Sequence, residues 1–414
     1  MSDLPSPRAL SVFRHRDYAL FWTARLLATL AATGEAVTIG WQVYAVARQD
    51  HGVDQSAFLV GMVGLVQFVP LFALTLFAGE ATDRYDRRKI MLGCLIVELL
   101  LDAGLALVAL QPHPSLLPIF AMAAVFGAAR AFPAHSALGP MLVPREELPK
   151  AVAWNSLAWQ GGAVAGPLIA GAFIVLSPAA AYMAFVVLYI GATLAVWLIR
   201  ANTQPEHKGG GRLALIREGL VYVWTNKVVL GAISLDLFAV LLGGATALLP
   251  VFARDVLQVG STGFGLLRAA PALGAAGVAI WLGRSPIRRH AGLWMFAGVA
   301  AFGVATLVFA GSRSLILSVA ALAVLGGGDM VSVFVRQTLV QIATPDIMRG
   351  RVSAISSVFV GASNELGEFE TGVVARWLGP VMAAVFGGVG SLIVTGAWAG
   401  LFPTLRKADR LLDT

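Results

Sequence analysis

The chain is poor in charged residues and in cysteine. Only 13% of its 414 residues are Asp, Glu, Lys or Arg, against roughly 25% in a typical soluble domain. Hydrophobic residues make up 58% and the mean hydropathy is +0.78, so a soluble enzyme and a disordered chain are both excluded. The single cysteine, Cys94, excludes an internal disulfide and any cysteine-based zinc or iron–sulfur site.

The sequence also lacks the motifs of an energy-consuming or metal-dependent enzyme. There is no G-x-x-x-x-G-K-[ST] loop, so nucleotide hydrolysis is not expected as an energy source. No cluster of His, Cys and Asp has the spacing of a catalytic metal site. We therefore expect no catalytic residues, no metal and no cofactor. The net charge of +7 is scattered in short runs between apolar stretches, which favours a membrane surface over a nucleic-acid partner.

Twelve continuous apolar stretches have the length of a bilayer-spanning helix, about 20 residues. A β-barrel would instead show short alternating segments, so the sequence predicts an all-α membrane protein. The amino terminus is polar and the first apolar run is too long for a signal peptide, which predicts that it is retained as a helix. The predicted spans are 18–47, 57–79, 89–110, 115–137, 149–176, 180–199, 228–253, 261–283, 291–311, 314–342, 350–376 and 380–402.

The distribution of Lys and Arg predicts the orientation in the membrane. Of the 30 basic residues, 22 lie in the termini and the even-numbered loops and four lie in the odd-numbered loops. Because basic residues are retained on the cytoplasmic side, both termini are predicted to be cytoplasmic. An even number of spans is consistent with this placement.

The twelve predicted spans divide into two similar halves. A loop at 200–227 contains a Gly-rich linker followed by a segment with helical apolar spacing, which we expect to lie along the membrane surface. An offset of 201 residues places Pro144 on Pro345 and Gly166 on Gly367. The predicted domains are a six-helix bundle at 1–199, the linker at 200–227 and a second six-helix bundle at 228–414. Two such halves are typical of transporters that bind substrate near the midplane of the bilayer.

A tight loop between the second and third spans has the sequence GEATDRYDRRKIML, from Gly79 to Leu92. Gly79 permits close contact between helices, and Asp83 can accept hydrogen bonds from arginine side chains or from a helix N-terminus. Breaking such a contact costs free energy, so the loop is suited to favour one of two conformations. An ordinary basic loop that only sets the topology is the alternative interpretation.

The fifth span contains the segment WQGGAVAGPLIAG, Trp159 to Gly171. Gly162, Gly166 and Gly171 leave room for a neighbouring helix. Pro167 frees a backbone carbonyl and can kink the helix. The alternative interpretation is a generic packing face of small residues.

These two segments carry a resemblance to a known family. The loop resembles the signature G-x-x-x-D-R-x-x-R-R of the major facilitator superfamily, and the span count, central linker and half repeat extend the resemblance over the whole chain. The resemblance implies an inner gate built from Gly79, Asp83, Arg84 and Arg88. The corresponding second-half segment, LGRSPIRRH at 282–290, lacks the acidic residue, so the gate motif is incomplete there.

The resemblance also indicates a branch of the superfamily. Gly162, Gly166, Pro167 and Gly171 match G-x-x-x-G-P-x-x-[GA]-G, a motif associated in the superfamily with proton-coupled export. The segments 126–156 and 344–357 are similar to the branch of enterobactin and macrolide exporters. The branch implies drug-like or siderophore-like substrates without identifying one.

Ionisable residues inside the predicted spans are functional candidates, because each costs free energy there unless it is paired or hydrated. A proton carrier must be a carboxyl that is stable in its protonated form, which removal from water favours. Glu35 fits best, since it is central in the first span and has no basic residue in its own helix turn. Glu365 and Glu368 in the eleventh span are the next candidates. The alternative for each is a structural hydrogen bond.

The remaining candidates concern the substrate cavity. Helices 4 and 10 line the cavity in the superfamily, and the 201-residue offset places Arg130 close to Asp329. We therefore expect Arg130 to attract an anionic or catechol-like group. A static pair with Glu98 or Asp102 in the third span is an equal alternative. The candidate cavity residues are Arg130, Glu98, Asp102, Asp329 and Arg336.

Together these features predict a proton-coupled secondary exporter that moves a small amphiphilic, siderophore-like or drug-like molecule by alternating access. We expect a multi-pass protein of the inner membrane that works as a monomer, with its substrate, protons and the bilayer as partners and without nucleic acid. The alternatives are a symport importer or uniporter, a lipid flippase of the same fold, and a receptor that transports nothing.

Overall fold

The chain folds into long α-helices joined by short turns. The computed structural model describes residues 11–132, 138–204, 212–285, 287 and 289–408. The main helices are α1 Arg16–Asp50, α2 Val53–Arg84, α3 Arg87–Ala109, α4 Leu116–Arg130, α5 Leu148–Ile174, α6 Pro178–Trp197, α7 Arg212–Thr225, α8 Lys227–Leu242, α9 Gly260–Arg284, α10 Ala291–Gly311, α11 Leu315–Ala343, α12 Asp346–Leu378 and α13 Pro380–Leu401. Shorter helical segments are Ser11–Arg14, Gly139–Leu142, Arg145–Glu147, Ala245–Leu248, Leu249–Val251, Phe252–Val256 and Pro403–Arg406.

Among the described residues, each predicted span overlaps one of these helices, and α7 lies where a helix of the linker was predicted. Within the described residues, nine helices are long and apolar enough to cross a membrane by length and composition. Three predicted spans are not among the nine: α4 has only 15 residues, and α1 and α12 are the least hydrophobic of the long helices. The all-α membrane class is confirmed, whereas the count of twelve spans stays a prediction.

Polar residues in the turns fix where several helices begin. Ser177 accepts a hydrogen bond from the backbone N–H of Ala180 at 3.0 Å, with Pro178 as the first residue of α6. Asn226 accepts from the N–H groups of Val228 and Val229 at the start of α8. These contacts satisfy backbone donors that have no partner inside the helix.

Two predicted spans depart from a continuous helix. The span predicted at 228–253 breaks after Leu242, where Gly243 ends α8 and a 3-10 turn begins at Ala245. A Cβ on Gly244 would lie 2.5 Å from the carbonyl oxygen of Gly367, so close backbone packing explains why glycine stands at the break. The span predicted at 115–137 ends as helix α4 at Arg130, and residues 133–137 lie outside the described part of the chain.

The chain divides into two compact units. The first contains Met1–Val46 and Val66–Lys208, and the second contains Ala47–Leu65 and Gly209–Thr414. The boundary at Lys208 lies in the Gly-rich linker. The stretch 47–65, which comprises the end of α1 and the beginning of α2, belongs to the second unit although it lies among the first-half spans. Sequence patterning contains no signal for that assignment.

In the first unit, α3 packs against α4 and α6, and α5 packs against α6. Glycine brings α5 against α1. A Cβ on Gly166 would lie 2.6 Å from the carbonyl oxygen of Leu30 and 3.1 Å from the nitrogen of Gly34. The hydroxyl of Thr33 donates to the carbonyl of Gly162 at 2.8 Å across the same contact. Small residues of this kind allow two membrane helices to approach at backbone distance.

In the second unit, α11 packs against α9 and α10, and α8 packs against α12 and α13. The contact between α12 and α8 parallels the one between α5 and α1. A Cβ on Gly367, the residue offset by 201 from Gly166, would lie 2.9 Å from the carbonyl of Val240 and 3.0 Å from that of Leu241. Equivalent glycines therefore make equivalent backbone approaches in the two halves of the sequence.

The stretch 47–65 packs on α12 within the second unit. A Cβ on Gly61 would lie 2.7 Å from the Cα of Gly372. The guanidinium of Arg376 lies 5.0 Å from the ring centre of Phe58. Arg48 pairs with Asp255 at 3.5 Å. We call this contact between residues 47–65 and α12 the 47–65 seam.

Candidate proton and substrate sites

Glu35 lies on α1 at the level of the close contact with α5. Its neighbour Gly34 lies against Gly166, so the glycine-rich segment of α5 fixes the helix turn that carries the carboxyl. The side chain of Glu35 is 0% exposed. The hydroxyl of Tyr189 on α6 donates to Glu35 Oε2 at 3.3 Å. Within the described residues, Glu35 Oε1 has no hydrogen-bond partner.

Two further carboxyls come from α3, which packs against α6. Asp102 is 0% exposed, and neither of its oxygens has a partner among the described residues. Glu98, one turn earlier, is half-buried. The helix α6 also carries the Tyr189 that binds Glu35, so one helix contacts both the predicted proton carrier and the element with two residues predicted to line the cavity.

Arg130 is the positive charge of this group. It lies at the end of α4 with its guanidinium 5.9 Å from the ring centre of Phe126, and its Nη1 donates to Gln67 Oε1 at 3.4 Å. The helix α4 packs against α3, which carries Glu98 and Asp102. The side chain is exposed, so Arg130 can contact a molecule outside the helix packing. His135 lies outside the described residues.

A second charged group lies in the second unit. Arg336 on α11 pairs with Asp236 on α8 at 3.4 Å, and the two side chains are 4% and 5% exposed. Arg336 Nη1 also lies 3.5 Å from the hydroxyl of Ser356. The half-buried Asp329 lies on the same helix as Arg336, about two turns before it. Arg336 is therefore a buried partner of Asp236, and its place in a substrate cavity stays a prediction.

The acidic residues of α12 belong to the second unit as well. Glu365 is 8% exposed, and its carbonyl would lie 2.6 Å from a Cβ on Gly64. Glu368 pairs with Arg268 at 3.8 Å, and Arg268 Nη1 donates to the carbonyl of Thr246 at 3.1 Å. Glu368 thus has a basic partner, whereas Glu35 has a phenol.

The predicted inner-gate residues lie between α2 and α3. Arg84 pairs with Glu80 on the same helix at 3.1 Å, and both side chains are exposed. Arg88 donates to the carbonyls of Val196, at 3.1 Å, and Trp197 at the end of α6, where a cation is favoured by the helix dipole. Gly79 is half-buried, and the side chain of Asp83 lies outside the described residues.

Sequence reasoning missed the neutral partners of the buried charges. Tyr189, Tyr182 and Gln42 carry no sequence signal, because single tyrosines and glutamines in apolar spans follow no motif. Tyr182 donates to Gln42 Oε1 at 2.7 Å and is buried beside the same carboxyls. Asp86 was missed too. It caps α3 by accepting from Arg88 N at 2.9 Å and binds the hydroxyl of Thr203, and D-x-R at a helix start could have indicated that role.

The long apolar helices are those of a multi-pass membrane protein, and their arrangement is that of the major facilitator fold. The fold is shared with the crystal structure of the POT family transporter PepTSo, with a TM-score of 0.73 at 14% identity over 94% of this chain and 98% of that one. A bacterial homologue of the iron transporter ferroportin in an inward-facing state gives a TM-score of 0.67 at 15% identity over 93% and 98%. At such identities the likeness concerns the fold alone.

The family follows from the sequence. The model of the family described as transmembrane secretion effector matches residues 7–412, and the chain belongs to that family. The enterobactin exporter EntS of Shigella dysenteriae serotype 1 (strain Sd197) is 28% identical over 385 residues, which are 92% of this chain and 90% of that protein. The family resemblance predicted from the motifs is confirmed: the chain is a transporter of a small molecule and not an enzyme.

Proposed function

We propose that the protein is a proton-coupled secondary exporter of a small amphiphilic, siderophore-like or drug-like molecule, working by alternating access. It would act as a monomer in the inner membrane with both termini in the cytoplasm. The observation that carries the proposal is the position of Glu35. A carboxyl with no solvent exposure lies on α1 where the exporter-motif glycines of α5 make contact.

Export is supported by the relatives. The proteins that match nearly the whole chain are named enterobactin exporters, and the glycine motif of α5 is the one associated with proton-coupled export. An exporter of this class needs an ionisable group that binds a proton in one conformation and releases that proton in another. Glu35 supplies that group in the first unit, and Glu365 and Glu368 are further candidates in the second.

A catechol-like or anionic substrate is supported by the surroundings of Arg130. Its exposed guanidinium can donate two hydrogen bonds to an oxygen pair, and the ring of Phe126 beside it offers an aromatic face. Because Glu98 and Asp102 are acidic, we expect Arg130 to bind substrate groups that can lie beside acidic side chains. In the second unit, we assign the half-buried Asp329 to the cavity. Arg336, on the same helix, forms an ion pair with Asp236.

The loop after α2 is proposed as the inner gate. Arg88 donates a hydrogen bond to a carbonyl at the end of α6, and Asp86 accepts one from the hydroxyl of Thr203. Gly79 and Arg84 lie on the adjoining turns of α2. Asp83 completes the set by the family motif. Replacing Asp83 with Asn should shift the population towards the inward-open state, which distances between spin labels on the cytoplasmic loops would report.

The first experiment compares the small molecules outside cells that express the protein with those outside cells that lack it. The proposal expects a siderophore-like or drug-like compound to accumulate outside only when the protein is present. Addition of a protonophore should stop the accumulation, because an antiporter loses its driving force. Export that continues at the same rate without a proton gradient would contradict the coupling and favour a uniporter.

A further inference from the structure

The carboxyls of the first unit outnumber the groups that could compensate them. Glu98 and Asp102 lie on α3, which packs against α6, the helix whose Tyr189 binds Glu35. Arg130 lies at the end of α4 beside α3, where Cys94 Sγ, one turn before Glu98, donates to the carbonyl of Ala129 at 3.8 Å. Glu98 is half-buried, whereas Glu35 and Asp102 are 0% exposed. One guanidinium balances one carboxylate, so two negative charges would remain in the dry interior.

A comparison of hydrogen-bond donors with acceptors in this group leads to the same conclusion. Each phenol has a single O–H to donate; Tyr189 uses its own on Glu35 Oε2 and Tyr182 uses its own on Gln42 Oε1. Within the described part of the chain, Glu35 Oε1 and both oxygens of Asp102 receive no hydrogen bond. Two donors that also lack a partner there are the amide Nε2 of Gln42, which is 2% exposed, and the hydroxyl of Thr193, one turn after Tyr189 on α6.

A buried acceptor without a donor, and above all a buried charge without a partner, is strongly unfavourable. A metal ion does not resolve the imbalance, because no group of three acidic, His or Cys side chains in the described residues is placed to hold one. A proton does, since each protonated carboxyl loses its charge and gains an O–H donor. Two protons remove both uncompensated charges and supply two donors.

We propose that Asp102 and Glu35 form a two-proton store, both protonated in the conformation described, while Glu98 remains ionised as the counter-ion of Arg130. This assigns Asp102 to the proton path instead of the substrate cavity. Tyr189 is a positioning residue that holds the Glu35 carboxyl, and Tyr182 holds Gln42 beside it. That the two protons are the ones exchanged during transport rests on the proposed function, whereas the protonation itself does not.

The test is infrared difference spectroscopy on the purified full-length protein in lipid at pH 7, with no substrate added. Subtracting the spectrum of Asp102→Asn from that of the wild type should leave the carbonyl stretch of one protonated carboxyl, and Glu35→Gln should do the same. Glu98→Gln is the matched variant and should remove a carboxylate band pair instead. A carboxylate band pair lost in Asp102→Asn or in Glu35→Gln would overturn the store.

A second variant keeps the test decisive if Asp102→Asn does not fold. Aspartate labelled with 13C at the side-chain carboxyl is incorporated into the wild type and into Asp102→Glu, which retains an ionisable group. The labelled band that disappears in Asp102→Glu belongs to Asp102 and should be that of a protonated carboxyl. Because no transport is measured, a failure of proton-coupled export in cells leaves this result unaffected, and the two proposals fail separately.

Discussion

Individual buried charges are compensated differently in the two units. Asp236 and Arg336 meet directly at 3.4 Å, so each has its counter-ion within reach. Glu35 has a phenol at 3.3 Å and other acids in range, which makes its charge state dependent on proton supply. The first arrangement is suited to hold helices together and the second to take up and release a proton.

At this scale, Glu35→Gln should abolish proton-driven transport while leaving part of the exchange of substrate against substrate, because a permanently neutral side chain neither binds nor releases a proton. The measurement is movement of enterobactin, used as the probe, into vesicles at several external pH values. Glu146→Gln, an exposed acid on the turn before α5, is the control and should behave as wild type. An unchanged pH dependence in Glu35→Gln would contradict its role.

The buried ion pair gives a stability prediction. Asp236→Asn leaves the guanidinium of Arg336 charged and almost completely buried, so the free energy of unfolding should fall by about 3–5 kcal/mol. Asp255→Asn removes the half-exposed pair with Arg48 and should cost no more than about 1 kcal/mol. Thermal unfolding in detergent compares the stability of the two variants. Equal losses of stability would contradict the conclusion that the buried pair stabilises more than the half-exposed one.

The sequence could predict which residues are buried acids but not what they touch. Glu35 follows from the cost of a charge inside an apolar span, which a single sequence reveals. Its partner Tyr189 lies 154 positions away, and the ion pair between Asp236 and Arg336 joins helices that are separated by two others along the chain. Such contacts arise from tertiary packing, which no local pattern encodes.

At the scale of helices, backbone approach at glycine decides which elements meet. Gly166 of α5 lies against α1, and Gly367 of α12 lies against α8. At each glycine, backbone atoms of the neighbouring helix occupy the space that a Cβ would need. A larger side chain at either position would push two helices apart. The glycine motif of α5 therefore has a physical role in holding α1, and with it the turn of Glu35.

Gly166→Ala should lower the free energy of unfolding by about 1–3 kcal/mol, since its Cβ has no space beside Thr33 and Leu30. Gly161→Ala, on the same helix, is the matched control. Its Cβ meets only the side chain of Leu26 at 3.8 Å, an ordinary contact, so the substitution should be neutral or stabilising by up to about 1 kcal/mol. Equal unfolding temperatures for the two variants would contradict the assigned packing.

Helix positions followed from hydropathy because continuous apolar runs have one stable form in a bilayer. The break of the seventh span at Gly243 did not follow from it, since a glycine pair inside an apolar run is tolerated in a straight helix as well. The close approach of Gly244 to α12 decides between the two outcomes. Only the folded chain contains that information.

At the scale of the whole molecule, the 47–65 seam packs the first loop of the chain and the helix ends beside it against α12, within the second unit. Alternating access requires contacts of this kind to form and break in turn. In the seam, Gly61 lies against Gly372, and Gly64 lies against the carbonyl of Glu365 and the side chain of Glu368. Arg48 and Asp255 add an ion pair at 3.5 Å.

Gly61→Ala should disfavour the conformation described here, because its Cβ would lie 2.7 Å from the Cα of Gly372 and 2.8 Å from the carbonyl of Glu368. Labelling of a cysteine placed at Ser56, which is 0% exposed, by a membrane-impermeant reagent should rise several-fold relative to the same cysteine in the parent. Gly93→Ala, where no atom lies within 4 Å of the new Cβ, is the control. Equal labelling in both variants would contradict a seam that opens.

The central claim is that an inward flow of protons drives the export of a small molecule, and inverted membrane vesicles test it most directly. The interior of such vesicles corresponds to the outside of the cell, so an acid interior imposes the driving gradient. We predict that enterobactin accumulates in vesicles that contain the protein and leaves when the pH gradient is collapsed, and that vesicles without the protein accumulate none. Accumulation that is unchanged after collapse of the gradient, or no accumulation of any siderophore or drug tried under it, would contradict the account.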